Sequence, residues 1–521
     1  MPGPGSSRIA GASGVQVVWF KRDLRVRDHS PLVEAAADGP LVAIYIYEPD
    51  VLTDPYYDAS HLRFIEQCLA EVDADLRTLG SMLIRRTGEA TTVLASLDRE
   101  LTPHGGIAAL WSHEETGQAT TYTRDLRVAQ WCRERRIPWH ERLQTGVVRR
   151  LRTRDGWARR WLDRMKSTPL DAPEYIRSVA GLDSGRPAEP RELSLPDVTR
   201  PKALAGGSSR GLRLLDSFLT TRGMDYTRAM SSPLEGWDAC SRLSPHLTWG
   251  SVSIRQCYHA SRDQLSSLRA DDRANVEVDP RWFRAISSFE KRLRWRCHFM
   301  QKLEDEPDIE FNNMNPAFDG LRDPESDPRL QHAWITGNTG YPLVDACVRA
   351  LHASGWINFR MRAMLASFAA YHLWQHWKPS ADAMAPLFLD FEAGIHFSQF
   401  QMQAGVTGIN TVRIYSPIKQ VADQDPRGEF IKRYVPELEG VPDEFIAEPH
   451  RMPLLTQHMA GCIIGSDYPQ PIVDHAEAYR AAKDRVFAWK QRPGVRDSSK
   501  RVYIKHGSRK SPLRDRLNNK E

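Results

Sequence analysis

The sequence predicts a doubly wound parallel α/β domain followed by a large all-α domain. Three observations carry this. Short apolar runs alternate with amphipathic helical stretches up to about residue 165. A Pro-, Ser-, Gly- and charge-rich interval over 166–207 then breaks all periodicity, and after Arg210 only helical periods recur. Strands spaced by helices imply right-handed βαβ crossovers and an open parallel sheet, whose ligands lie beyond the strand C-termini.

Taken in order, residues 1–14 (MPGPGSSRIAGASG) read as a disordered terminus without the apolar stretch of a secretory signal, so a cytoplasmic protein is expected. VQVVWF (Val15–Phe20), LVAIYIYE (Leu41–Glu48), MLIRR, IAALWSH (Ile107–His113) and IPWHERL supply the strands. Helices near Leu62–Leu79, Ala90–Leu97 and Thr121–Glu134 fill the crossovers, giving an α/β domain over 15–165. The interval 166–207 reads as a linker. A helical domain over 208–490 follows, with periods through LRLLDSFLTTR, SIRQCYHASRDQL, WFRAISSFEKRLRWRCHFMQKL, YPLVDACVRALHASG and FRMRAMLASFAAYHLWQHW. The last 31 residues, 491–521, hold ten Lys/Arg against three acids and read as a solvated basic tail.

Composition narrows the function. No apolar run approaches the roughly 20 residues a membrane span needs, and no membrane association is expected. Seven cysteines lie far apart without a CxxC pair, which argues against a disulfide scaffold and a cysteine-ligated metal; no metal is expected. Neither a Walker A sequence nor GxGxxG follows the first strand, which disfavours ordinary NTPases and dinucleotide enzymes. A second basic concentration, Arg281 to Lys302, has seven Lys/Arg and one acid with tryptophans interleaved, as a phosphate-facing surface would.

Several separated motifs resemble the photolyase/cryptochrome family: WFKRDLRVRDHSPL (Trp19–Leu32), CSRLSPHLTWGSVSIR (Cys240–Arg255), TGYPLVDACVRAL (Thr339–Leu351), GWINFRMRAMLASF (Gly355–Phe368), RIYSP (Arg413–Pro417) and GEFIKRYVPEL (Gly428–Leu438). They stand in family order at nearly family spacing. The resemblance implies an N-terminal antenna domain and a helical domain holding FAD. Tyr226 and the run Cys240, Ser241, Arg242, Leu243 and Ser244 match positions near the FAD phosphates, with Cys240 where many relatives carry Thr. Hydroxyls and backbone N–H groups at a helix entrance suit a pyrophosphate; without the resemblance, the same run is a helix N-cap. Phe289, Arg296, Trp356, Phe359, Arg362, Asp390 and Glu392 fall on flavin-pocket positions. There Arg362 with Asp390 would be an ion pair beside the isoalloxazine, where a fixed cation stabilises reduced flavin; the bland alternative is a helix–helix salt bridge.

His396 falls where relatives place Asn, Asp or Cys against flavin N5, the alternative being a core histidine satisfied by a backbone carbonyl. The family's tryptophan relay is matched by Phe400, Trp377 and Pro324, so it is interrupted at both ends. Tyr371 and Trp374, spaced one turn apart before Trp377, offer an aromatic stripe on one helix face, or core packing. Trp295 matches the tryptophan that stacks on a flipped pyrimidine dimer. Around it Arg292, Phe359, Ala363 and Met402 replace the glutamate, asparagine, methionine and second tryptophan of dimer-repairing relatives; Arg292 only donates hydrogen bonds where a carboxylate accepts them. SHEETGQATTYTRD (Ser112–Asp125) resembles the region holding a pterin or deazaflavin antenna, to which Glu114 or Glu115 would hydrogen-bond. The expectation is a monomeric, blue-light-driven DNA photolyase acting on UV-damaged DNA, with Trp295, His396 and Trp377 in the catalytic roles. A cryptochrome-type photoreceptor is the alternative.

Overall fold

The computed structural model describes residues 14–322 and 327–507. Five strands, β1 (Val15–Phe20), β2 (Leu41–Tyr47), β3 (Leu83–Thr87), β4 (Ile107–His113) and β5 (Trp139–Arg142), form one parallel sheet in the order β3-β2-β1-β4-β5. Every residue of β1 and β2 is buried, as sheets covered on both faces require. The order reverses at β1, so a crevice opens beyond the C-terminal ends of β1 and β4.

That crevice is lined with charge. Arg124 bonds Glu48 at 2.8 Å and Glu115 at 2.5 Å. Lys21 lies 3.8 Å from Glu115 and 3.5 Å from Asp125, and Arg22 lies 3.6 Å from Glu115. Beside them Asp23 Oδ2 meets His29 Nε2 at 2.9 Å and His113 Nδ1 at 2.7 Å. His29 Nδ1 accepts the Leu32 N–H.

The helical part packs against the sheet domain at several points. Gly250 (φ 67°) carries no side chain because a Cβ would lie 2.1 Å from the Arg22 carbonyl oxygen, and Arg255 pairs with Asp28. The interval 166–207 is a packed strap: Ile176 and Leu193 are fully buried, and the Arg200 guanidinium bonds Asp58, the Leu351 and His352 carbonyls and the Pro386 carbonyl. The helix Trp157–Lys166 buries Trp157, Trp161 and Met165 among residues of the helical part.

Two expectations change. The run from Phe359 to Trp377 is not one helix: Phe359–Ser367 passes into a π-helical turn, Phe368–His372, and a new helix starts at Trp377. Trp374 between them is left-handed (φ 53°), and Arg322 lies 5.2 Å from the Tyr371 ring and 4.5 Å from the Trp374 ring while bonding the Ala370 carbonyl. Tyr371, Trp374 and Trp377 therefore share no helix face. The basic tail is also ordered at its start, where the helix Val495–His506 buries Val495 and Val502 and His506 pairs with Glu306. Residues 1–13, Pro324 and the rest of the tail lie outside the described residues. No helix among the described residues is long and apolar enough to cross a membrane.

Candidate functional site

In the helical part, several predicted residues come together through a chain of contacts. Arg362, near the start of the helix Phe359–Ser367, places NH2 2.8 and 2.7 Å from the two oxygens of buried Asp390 and its Nε on the Ile357 carbonyl. Arg296 bonds Glu392 at 3.0 Å and the Leu247 carbonyl at 3.1 Å. Thr248 Oγ1 joins the two pairs by donating to the Asp390 carbonyl. Trp356 meets Trp237 edge-on at 5.5 Å, and the Arg242 guanidinium lies 5.2 Å over Trp237.

Three polar atoms here are buried without partners: Glu392 Oε1, Asn358 Oδ1 and Arg242 Nε. Burying such groups unpaired costs roughly 1–3 kcal/mol each, so a ligand that partners them is favoured. Two acceptors and one donor suit FAD, which offers the imide N–H and the adenine amine as donors and its phosphates as acceptors. Burial raises the Glu392 carboxyl above its ordinary range, against the pull of Arg296 and Arg22.

The phosphate run is held by a residue that sequence reasoning missed. Arg222, at the end of a π-helical turn, donates to the carbonyls of Leu214, Asp238, Cys240 and Ser241. The helix after Leu243 spans only Ser244–Thr248, so hydroxyls of Ser241 and Ser244 and left-handed Arg242 (φ 56°) supply the polar groups there rather than a long helix dipole. Leu243 and Phe289 are buried in an apolar cluster with Phe218 and Tyr226. Burial pushes the Tyr226 hydroxyl and the Cys240 thiol up to about 12.

His396 is buried among Phe388, Phe391, Phe397 and Phe400, with ring centroids 4.8–5.8 Å away. Its Nε2 donates to the Ala381 carbonyl at 2.8 Å, which leaves Nδ1 as an acceptor. Burial lowers its pKa to about 3, so the ring is neutral near pH 7. Phe400 sits against His396, while Trp377 is buried 6.4 Å from Phe397 and donates to Asn313 Oδ1.

Trp295 and Phe359 stand 43 % and 45 % exposed, each adjacent in the chain to a residue of the polar cluster, Arg296 and Asn358. Arg292 lies 5.8 Å over Phe359, bringing these two helices together, and Met402 is half-buried. Beyond Phe359 a cavity of about 730 Å³ is lined by Arg360, Arg413, Lys419 and Arg480 with Tyr415 and Tyr479. Part of the signal for it was in the sequence, since Arg413 opens the RIYSP motif and Lys419 follows closely, but Arg360 and Arg480 lie far away in the chain. In the α/β domain Glu115 is held by Arg124, Lys21 and Arg22, leaving half-buried Glu114, raised by burial, as the acid not bonded to Arg124.

Residues 16–170 match the DNA photolyase family and residues 289–488 match the FAD binding domain of DNA photolyase. The chain is 32 % identical over 488 residues to the deoxyribodipyrimidine photo-lyase of Streptomyces griseus, covering 91 % of this chain and 99 % of that one. It is 28 % identical to the cryptochrome DASH of Gloeobacter violaceus, covering 91 % and 96 %. A bacterial class III photolyase from Agrobacterium tumefaciens superposes with a TM-score of 0.79 at 26 % identity, covering 93 % of this chain and 100 % of the other. With its sheet domain, its helical part and these likenesses along nearly its whole length, the chain belongs to the photolyase/cryptochrome family.

Proposed function

We propose that the protein is an FAD-dependent, light-driven DNA photolyase that repairs UV-induced pyrimidine photoproducts. The observation that carries this is a cluster of buried polar groups with unpartnered atoms and two exposed aromatic rings adjacent to it in the chain. When bound, FAD supplies a blue-light-absorbing one-electron donor.

The chain's own residues do the rest. Arg362, oriented by Asp390, keeps a fixed cation in that cluster, where low dielectric makes it count. Glu392 accepts there, and His396 Nδ1 accepts but cannot donate. Trp295 and Phe359 offer stacking faces to a nucleobase drawn out of the duplex. Arg292 donates to acceptor oxygens of the lesion, and the groove of Arg360, Arg413, Lys419 and Arg480 holds phosphates. All of these surfaces come from one chain, so we propose a monomer as the acting unit.

Trp295→Ala should leave flavin retention unchanged and weaken binding to UV-damaged duplex by about ten- to a hundredfold, since stacking on an aromatic is worth about 1–3 kcal/mol per base. Equal binding of damaged and intact duplex by the parent protein would contradict the proposal. One observation favours a photoreceptor instead: phenylalanine at 400, against His396, is harder to oxidise than the tryptophan of relatives. Flavin photoreduction without damage preference would support that reading.

A further inference from the structure

The segment 149–166 carries eight Arg and Lys against two Asp, and the site described so far uses none of them. The segment starts in a turn with Arg150 left-handed (φ 54°) and continues as the helix Trp157–Lys166. That helix buries its tryptophans and Met165, so Arg159, Arg160 and Lys166 face solvent, as do Arg150 and Arg152 before it. Arg149 pairs with Glu141 at 2.8 Å and Arg154 with Asp305 at 3.6 Å. The side chains of Arg150, Arg152, Arg160 and Lys166 have no ion-pair or hydrogen-bonding partner among the described residues.

The segment lies beside Trp295. The Trp157 ring is 6.0 Å from His298, and His298 is 6.2 Å from Trp295. Arg154 donates to the His298 carbonyl at 3.2 Å. Behind them Lys302, 3 % exposed, places its ammonium 4.8 Å over Phe299, whose ring is 5.6 Å from Trp295. No carboxylate lies within 4 Å of that ammonium among the described residues. Burial, with Arg154 beside it, pushes Lys302 down to about 7, and burial, with Lys302, Arg154, His506 and Arg294 nearby, pushes His298 down to about 2. The groove of Arg360 and Arg413 adjoins Phe359 instead, so cationic surface approaches the exposed aromatics from two separate elements.

We propose that Arg150, Arg152 and Arg160 form a second shoulder for the DNA phosphate backbone, on the Trp157 side of Trp295. Duplex DNA opened at a lesion is then gripped on both flanks of the extruded nucleotide. Unpaired, exposed guanidinium groups are available for phosphate oxygens without first breaking an internal ion pair. This inference rests on the reading of the protein as one that acts on DNA.

The test is a salt series of binding to a UV-damaged duplex, using the full-length, flavin-loaded protein. Three proteins are compared: the parent, an Arg150→Glu, Arg152→Glu, Arg160→Glu variant, and the same three positions changed to Lys. Flavin absorbance and the thermal midpoint check folding. Each phosphate contact contributes about 0.9 to the slope of log affinity against log salt, so the Glu variant should lose about 2–3 from that slope and more than tenfold in low-salt affinity. The Lys variant should retain the slope. An unchanged slope in the Glu variant, or an equal loss in the Lys variant, overturns the shoulder while leaving DNA binding standing. A parent protein without salt-dependent binding overturns the underlying reading, and the shoulder with it.

Discussion

The two polar interiors of this molecule are built differently: the one at the sheet edge is a shared network of ion pairs, the one in the helical part is two separate pairs, Arg296–Glu392 and Arg362–Asp390. At the C-terminal edge of the sheet, Glu48, Glu115, Asp125, Lys21, Arg22 and Arg124 lie within 4 Å of an opposite charge from the same set. An open α/β sheet ordinarily takes its ligand at the strand ends, and here that position carries a network of the protein's own ion pairs. Buried polar atoms without a hydrogen-bond partner occur in both regions, Lys21 Nζ and an Arg22 guanidinium nitrogen at the sheet edge and those of Glu392, Asn358 and Arg242 in the helical part. Arg22 connects the two regions, with NH1 3.8 Å from Glu392, so the sheet domain contributes one charge to the helical cluster.

Substitutions can break this contrast at either end. Arg124→Met should act most strongly, because it leaves Glu48 and Glu115 buried without their main cation; a stability loss of about 3–5 kcal/mol is expected in chemical denaturation, with flavin content per folded molecule unchanged. Arg362→Ala should show the reverse balance. Its side chain is a quarter exposed, so the apoprotein should lose no more than about 3 kcal/mol. FAD affinity should fall about ten- to a hundredfold in equilibrium titration. If Arg362→Ala bound FAD as tightly as the parent, the flavin-site assignment would fall.

His396→Phe probes the same region more gently. The folded pKa of about 3 lies below the usual 6.5 of an unfolded histidine, so between those values the unfolded chain binds a proton that the folded chain excludes. The stability His396 contributes is complete above about pH 6.5 and is lost as pH falls toward 3. With phenylalanine, the slope of unfolding free energy against pH should become shallower by one proton, about 1.4 kcal/mol per pH unit, between about pH 4 and 6. An unchanged slope would show that His396 is protonated in the folded protein.

Much of the sheet domain was legible because its signals are local. The apolar runs at Val15, Leu41 and Ile107 became strands at nearly the expected boundaries, since a strand buried on both faces is written as a continuous apolar run. The stripe from Tyr371 to Trp377 was misleading, because spacing alone does not reveal a π-turn or a left-handed Trp374 held under Arg322. In the site, the Arg362–Asp390 pair was read from family motifs, its partners 28 residues apart; Arg296 and Glu392 were named singly, and their pairing across 96 residues came only from the structure. Arg222 and Arg22 escaped notice because their acceptors, backbone carbonyls in one case and a distant carboxylate in the other, leave no pattern in sequence.

The most direct measurement is lesion loss from UV-irradiated DNA incubated with the reduced, flavin-loaded protein under blue light, against a dark control. The account predicts light-dependent loss that fails when Arg362 is replaced by alanine and flavin is no longer retained. Equal lesion counts in light and dark, from protein whose flavin is bound and reduced, would contradict it.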